Sequence, residues 1–180
     1  MTADVARQIA QAVRERGGRA LLVGGWVRDR LLGIVSKDVD LEVFGVPPGD
    51  LRATLERFGD VNAVGESFKV FKVAGVDVTI PRRDSKIGPG HRGFEITGDP
   101  WMSLDDAARR RDFTVNAIAF DPLTNEYLDP FGGRDDLLER RTLRYVDAGT
   151  FGDDSLRVLR GVQFAARFGL TLDEPTKALI

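Results

Sequence analysis

Residues 20–44, ALLVGGWVRDRLLGIVSKDVDLEVF, hold three elements in close succession. Ala20-Leu21-Leu22-Val23 is a short apolar run that predicts a buried strand, Gly24-Gly25 predicts a turn, and WVRDRLLG predicts a short helix closed by Gly33. Lys37 to Phe44 then alternates acidic and apolar residues with period two. That pattern predicts a strand burying Val39, Leu41 and Val43 and presenting Asp38, Asp40 and Glu42 on its other face. Three like charges on one strand face repel one another, so the arrangement calls for a reason.

Working outward, Val5, Ile9, Ala12 and Val13 recur at helical spacing within residues 3–16, and Gly17-Gly18 supplies a stop. Downstream, Pro47-Pro48-Gly49-Asp50 predicts a turn with Asp50 as N-cap of a helix to about Phe58, and Phe68–Val73 with Val76–Ile80 predicts a hairpin around Ala74-Gly75. Residues 81–103 lack clean periodicity, and RRDSKIGPGHRG within them predicts a mobile loop before a helix capped by Ser103. Apolar character returns over Phe113–Phe120. A strand is expected at Tyr127-Leu128, a helix over Arg134–Arg140, and another from Asp153 or Asp154 through Phe168. The last residues, DEPTKALI, read as the start of a further helix, as if the chain were cut within a helical region.

Composition narrows the chemistry. At 180 residues, 42% hydrophobic and 30% charged, the chain can build a core. No apolar run approaches the roughly 20 residues a membrane span needs, and no signal peptide is evident, so a soluble interior protein is expected. Zero cysteines exclude disulfides and thiolate chemistry, and a single histidine, His91, makes a histidine-based metal site or triad hard to assemble. Any metal must therefore sit on carboxylates. His91 itself reads as solvated. A net charge of −2 leaves room only for a local basic cleft, not for global basicity.

Asp38 and Asp40 stand at i and i+2, so on a strand their carboxylates share one side, about 7 Å apart along the chain. Such a pair can grip one pair of cations, for which Mg²⁺ is the natural hard-oxygen choice, and Asp77 lies on the expected neighbouring strand. The plainer reading is a solvated acidic face. Gly24-Gly25 and Arg28 just upstream offer backbone N–H groups and a guanidinium to a triphosphate, although a Gly-Gly pair before a helix is commonly only a turn.

Taken in order, GGWVRDRLLG, KDVDLEVFG, ARRRDFTVNAIAFD, YLDPFGGRDDL and DDSLRVLRGVQFAARFG resemble class II tRNA nucleotidyltransferases (CCA-adding enzymes) and the related bacterial poly(A) polymerases. The resemblance covers about Leu21 to Leu170. It implies an α+β fold: a polymerase β-type head with a small mixed sheet flanked by helices over residues 1–145, and the start of a helical neck over 146–180. It also implies that Asp38 and Asp40 hold Mg²⁺ with Asp77 in support, and that Gly24, Gly25 and Arg28 hold the triphosphate. Arg111, Asp112 and Asn116 would face the sugar and phosphates, and Arg160 would contact the nucleotide. Arg109 and Arg110 read as solvated or RNA-facing. Trp26 and Trp101 suit either packing or stacking on a base.

Within the resemblance, Asp154 and Arg157 form the base-reading pair. Cytosine and adenine both offer an exocyclic amine beside a ring-nitrogen acceptor, so a carboxylate can accept and a guanidinium donate in one plane. Uracil and guanine place a carbonyl where that amine stands and meet the carboxylate with a repulsive acceptor pair. The plainer reading is a helix N-terminus capped by acids, with Asp153 capping and Asp154 reading as a combination of the two. Two departures stand out: Asp153 replaces the family's common glutamate, and Gln163 replaces an arginine found in many bacterial members.

The implied activity is transfer of CMP or AMP from CTP or ATP to the 3′ end of tRNA or another RNA, in the cytoplasm. CC-only, A-only and poly(A) addition share these motifs. A second reading, from another class, is a nucleotide-binding module that acts only with further domains.

Overall fold

The computed structural model describes residues 2–64, 70–86, 94–152 and 154–180. Thr2–Glu15 forms α1, whose Ala6, Ile9, Ala10 and Val13 make a continuous buried stripe, and Arg19–Val23 follows as β1. The seven-residue α2 (Gly25–Leu31) leads to β2 (Val39–Phe44), which pairs antiparallel to β1 with Leu22 opposite Leu41. Val39, Leu41 and Val43 are buried as the alternation predicts. The acidic face differs from expectation at one position. Glu42 is only 7% exposed, because an arginine side chain covers it, while Asp38 is exposed one residue ahead of the strand.

The next helix, α3 (Pro48–Leu55), begins three residues earlier than expected. Pro47 occupies the N-cap position and Pro48 the first helical one, where proline's missing N–H costs nothing, so Asp50 lies in the first turn rather than at the cap. After β3 (Asn62–Val64), the strands β4 (Val70–Val73) and β5 (Val76–Thr79) form the expected hairpin, turning at Ala74 and Gly75 with φ of 47° and 81°. Phe68, at the start of that predicted hairpin, lies outside the described residues. Residues 81–103 are not a loop throughout. Arg82–Lys86 (β6) and Phe94–Gly98 (β7) pair antiparallel as a separate two-stranded sheet, which a mainly polar β6 sequence hides from hydrophobic patterning. His91 and the rest of 87–93 lie outside the described residues.

Ser103 caps α4 (Leu104–Arg109), accepting the Asp106 N–H, as expected. A 3₁₀ turn at Thr114–Asn116 precedes β8 (Ala119–Asp121), and β9 (Glu126–Leu128) follows. The main sheet runs β3-β4-β5-β2-β1-β8-β9, with β2 and β5 parallel and the other pairs antiparallel. It is therefore a mixed sheet flanked by helices. The remaining elements are α5 (Gly133–Leu138), β10 (Thr142–Leu143), α6 (Ala148–Phe151), α7 (Leu156–Phe168), β11 (Thr171–Leu172) and α8 (Glu174–Lys177). The helix expected from Asp153 or Asp154 thus starts at Leu156. Asp154 precedes it and accepts the Leu156 N–H at 2.9 Å. Asp153 lies outside the described residues.

Two cores hold these elements. One packs α1, α3 and the sheet through Ile9, Leu41, Leu51, Leu55 and Val78, with Trp26 against its edge. The other gathers Phe113, Val115, Leu137, Leu143, Phe151, Phe164 and Phe168, so α7 is packed onto the segment that follows α4. Among the described residues no helix is long and apolar enough to cross a membrane.

Candidate active site

The polar ends of β2, α2 and α7 converge on one cleft of about 580 Å³. Gly24, Gly25, Asp40, Arg111, Asp154 and Arg157 all line it, from segments more than 100 residues apart in sequence. A cleft of similar size beside Trp26 and Val35, about 600 Å³, is lined by no carboxylate among the described residues.

Backbone requirements place glycine in the cradle. Gly24 has φ of +67°, which side chains rarely adopt, and a Cβ there would stand 3.3 Å from Arg111 Nη1. A Cβ on Gly25 would lie 3.4 Å from Arg28 Nη2. Both glycines therefore keep open the space between two guanidinium groups.

Asp40 is half-buried on β2, and the parallel register sets it beside Asp77 on β5. Burial pushes the Asp40 carboxyl above the usual range, the charges of Asp77 and Asp38 add to the rise, and Arg111 and Lys72 oppose it. Asp77 faces Lys72 across the β4–β5 hairpin and accepts its Nζ at 2.5 Å, which raises the lysine's pKa. Neither Asp38 nor Asp77 lines the cleft where Asp40 does. Among the described residues no group of three or more His, Cys, Asp or Glu side chains is placed to hold a metal ion.

Arg111 Nη2 lies 3.3 Å from Glu42 Oε2, so the acid that alternation alone would expose instead aims a guanidinium at the cleft. Arg28 is only 5% exposed. Its Nη1 donates to Asn116 Oδ1 at 2.8 Å, and its guanidinium carbon sits 4.3 Å and 5.2 Å from the Phe168 and Phe164 ring centres. Asn116 Nδ2 donates to Asp112 Oδ1 at 3.1 Å, and that oxygen also accepts the Phe113 N–H at 2.8 Å. Asp112 Oδ2 is different. It is buried and ion-paired with Arg160 Nη2 at 2.9 Å, without the alignment of a directed hydrogen bond among the described residues.

Asp154 and Arg157 lie on one turn at the start of α7, where the Arg157 N–H donates to the Asp154 carbonyl at 2.9 Å. Arg157 Nη2 donates to the Arg110 carbonyl at 2.8 Å and Nη1 to Thr150 Oγ1 at 3.4 Å, which holds the guanidinium across the cleft. Arg110 is half-buried and lines the cleft, whereas Arg109 is exposed beside Asp147 at 3.7 Å. Trp26 packs on Phe120, and Trp101 is 69% exposed outside the cleft. Pattern reading missed the pairing of Glu42 with Arg111, the Arg110 carbonyl and the Phe164–Phe168 pair. Only the last had a visible signal, two aromatics four apart on an amphipathic helix.

Comparison with known proteins identifies the family and the fold. Residues 20–144 match the family described as Poly A polymerase head domain. The "Multifunctional CCA protein" of Stenotrophomonas maltophilia (strain K279a) is 43% identical over 164 residues, spanning 88% of this chain and 39% of that protein. The crystal structure of the Bacillus stearothermophilus CCA-adding enzyme in complex with CTP superposes with a TM-score of 0.78 at 34% identity, covering 97% of this chain and 42% of that one. A CCA-adding enzyme complex with ATP also gives 0.78, at 26% identity over 98% of this chain and 40% of that one. The chain therefore spans about two-fifths of the length of the relatives it matches. On the strength of that match through β1, β2 and the Arg111–Asn116 segment, this chain belongs to the poly(A) polymerase head-domain family.

Proposed function

We propose that this chain is the catalytic head of a nucleotidyltransferase that adds CMP and AMP, from CTP and ATP, to the 3′ end of tRNA, completing CCA. The observation that carries the reading is the single cleft in which Asp40, the glycine cradle, Asp112 and the Asp154–Arg157 turn meet. The CTP and ATP complexes of structural relatives support the same nucleotide choice. Residues 1–145 then serve as head and 146–180 as the start of a neck. The proposed tRNA and triphosphate substrates support a cytoplasmic reading.

The donor set suits Mg²⁺. Asp38 and Asp40 offer hard-oxygen donors, and burial, with the charges of Asp77 and Asp38 adding to it, already raises the Asp40 pKa, a cost that a cation relieves. Two carboxylates are a common protein share for Mg²⁺, with phosphate oxygens and water completing the shell, which fits a site without three clustered ligands. Mg²⁺ bound there would acidify the attacking 3′ hydroxyl and neutralise the departing pyrophosphate.

The chain's own residues then bind and orient. Gly24 and Gly25 let the triphosphate approach the backbone, Arg28 Nη2 and Arg111 Nη1 border it, and Asp77 holds Lys72 in place next to the acidic pair. Asp112 Oδ2, ion-paired with Arg160 and backed by Asn116, accepts a sugar hydroxyl as the Arg160 guanidinium turns to the nucleotide. Asp154 accepts the exocyclic amine of cytosine or adenine, and Arg157 donates to the neighbouring ring nitrogen.

The test is single-turnover extension of tRNA transcripts ending at the discriminator base, one C or two Cs, each nucleoside triphosphate supplied separately with Mg²⁺. C is expected on the first two transcripts and A on the third, and Asp40→Asn is expected to abolish all three. Turnover retained in Asp40→Asn would contradict the assignment. CTP and ATP binding without extension would favour the nucleotide-binding module.

A further inference from the structure

Asp29 has no part in the site described so far, yet it is only 6% exposed, and its Oδ1 accepts from Arg28 Nε at 2.9 Å and Nη2 at 2.6 Å. Adjacent residues on a helix do not face each other. The pair forms because the longer Arg28 bends back, and the Phe164 and Phe168 rings of α7 support the bent guanidinium from the other side. With Nε and Nη2 engaged by Asp29, Nη1 is the arm that reaches Asn116 Oδ1, at 2.8 Å.

The consequences propagate by donor and acceptor identity. Once Arg28 takes the Asn116 oxygen, the amide nitrogen has to point the other way, and it donates to Asp112 Oδ1. That oxygen also takes the Phe113 N–H, so the second oxygen of Asp112 is the one turned toward Arg160 without a hydrogen bond of its own. Flipping the Asn116 amide would turn its nitrogen toward Arg28, donor against donor.

We propose that Asp29 is a positioning residue for sugar recognition. It fixes the Arg28 fork and, through Asn116, the direction in which Asp112 Oδ2 meets the nucleotide. This rests on the reading of the cleft as a nucleoside triphosphate site with Asp112 toward the sugar. A carboxylate that merely neutralised buried Arg28 would affect stability and leave discrimination between ribose and deoxyribose unchanged.

The experiment is calorimetric titration of the 180-residue chain with CTP and with dCTP in Mg²⁺, for wild type, Asp29→Asn and Arg28→Lys, with near-ultraviolet circular dichroism to report folding. Lysine keeps a cation for Asp29 but lacks the fork that bonds Asp29 and Asn116 together. The wild type is expected to prefer CTP, and each folded variant is expected to lose about tenfold of that preference, the scale of one misplaced hydrogen bond to a charged group. If Asp29→Asn fails to fold, Asp29→Glu, which keeps the charge but displaces the carboxylate by one methylene, decides the question. Folded variants that keep the wild-type preference overturn the proposal while leaving the reading of the cleft standing. A wild-type chain that binds neither nucleotide, or both equally, overturns the sugar-facing role of Asp112 and this proposal with it.

Discussion

Asp40 stands where folding and chemistry make opposite demands. A carboxylate on a half-buried strand, with Asp77 in register and Asp38 two residues away, holds its proton more tightly than a free aspartate. A carboxyl whose native pKa lies above its unfolded value favours the fold while protonated. That contribution is full below the unfolded pKa and is lost as pH rises through the native one. At neutral pH the ionised Asp40 is therefore a net cost to the cation-free protein. Asp40→Asn should raise the melting temperature at pH 7 without divalent ions, and the gap should close as pH falls through the raised native pKa, being gone below about 4, the unfolded aspartate value. Thermal denaturation across that range checks the sign, and a variant melting at or below wild type at pH 7 contradicts it.

At the scale of elements, α5 is placed by an approach that only glycine permits. A Cβ at Gly133 would stand 2.0 Å from the Thr114 carbonyl oxygen, and backbone cannot step aside as a flexible side chain can. Gly133→Ala should cost ~3 kcal/mol, the upper part of the range for overpacking, and chemical denaturation would measure it. Loss of less than ~1 kcal/mol would mean that the 114–116 turn shifts freely. Elements of this kind show how far patterning reaches. α1 and β2 were legible because one buried face imposes a strict period on each. The β6–β7 hairpin was not, because it pairs apart from the main sheet and β6, RRDSK, places no apolar row opposite Phe94 and Ile96 in the sequence. Asp50 and Asp154 each resemble a cap in sequence. Proline geometry moves the first helix start upstream, and the second cap bonds from a residue outside the helix.

At the scale of the whole molecule, the two cores bring distant motifs into one cleft. The Phe113–Phe164–Phe168 cluster fixes α7 against the segment after α4, and Arg28 bridges from α2 into the same aromatic pair. Asp38, Asp40 and Gly25 could be nominated from residue types and spacing, since each motif is local, whereas the Asp154–Arg157 pair came only from the family resemblance. The partners that orient them could not. Glu42 reaches Arg111 across 69 residues and Arg110 reaches Arg157 across 47, separations that leave no periodic trace.

If this cleft holds a nucleoside triphosphate and chooses its base through Asp154 and Arg157, affinity has to depend on the base. The measurement that tests this most directly is equilibrium titration of the chain with CTP, ATP, UTP and GTP in Mg²⁺, repeated with Arg157→Ala. CTP and ATP should bind about tenfold or more tightly than UTP and GTP, the worth of one well-formed bidentate contact, and Arg157→Ala should erase most of that difference. Equal affinity for all four in the wild type would contradict base reading by this pair.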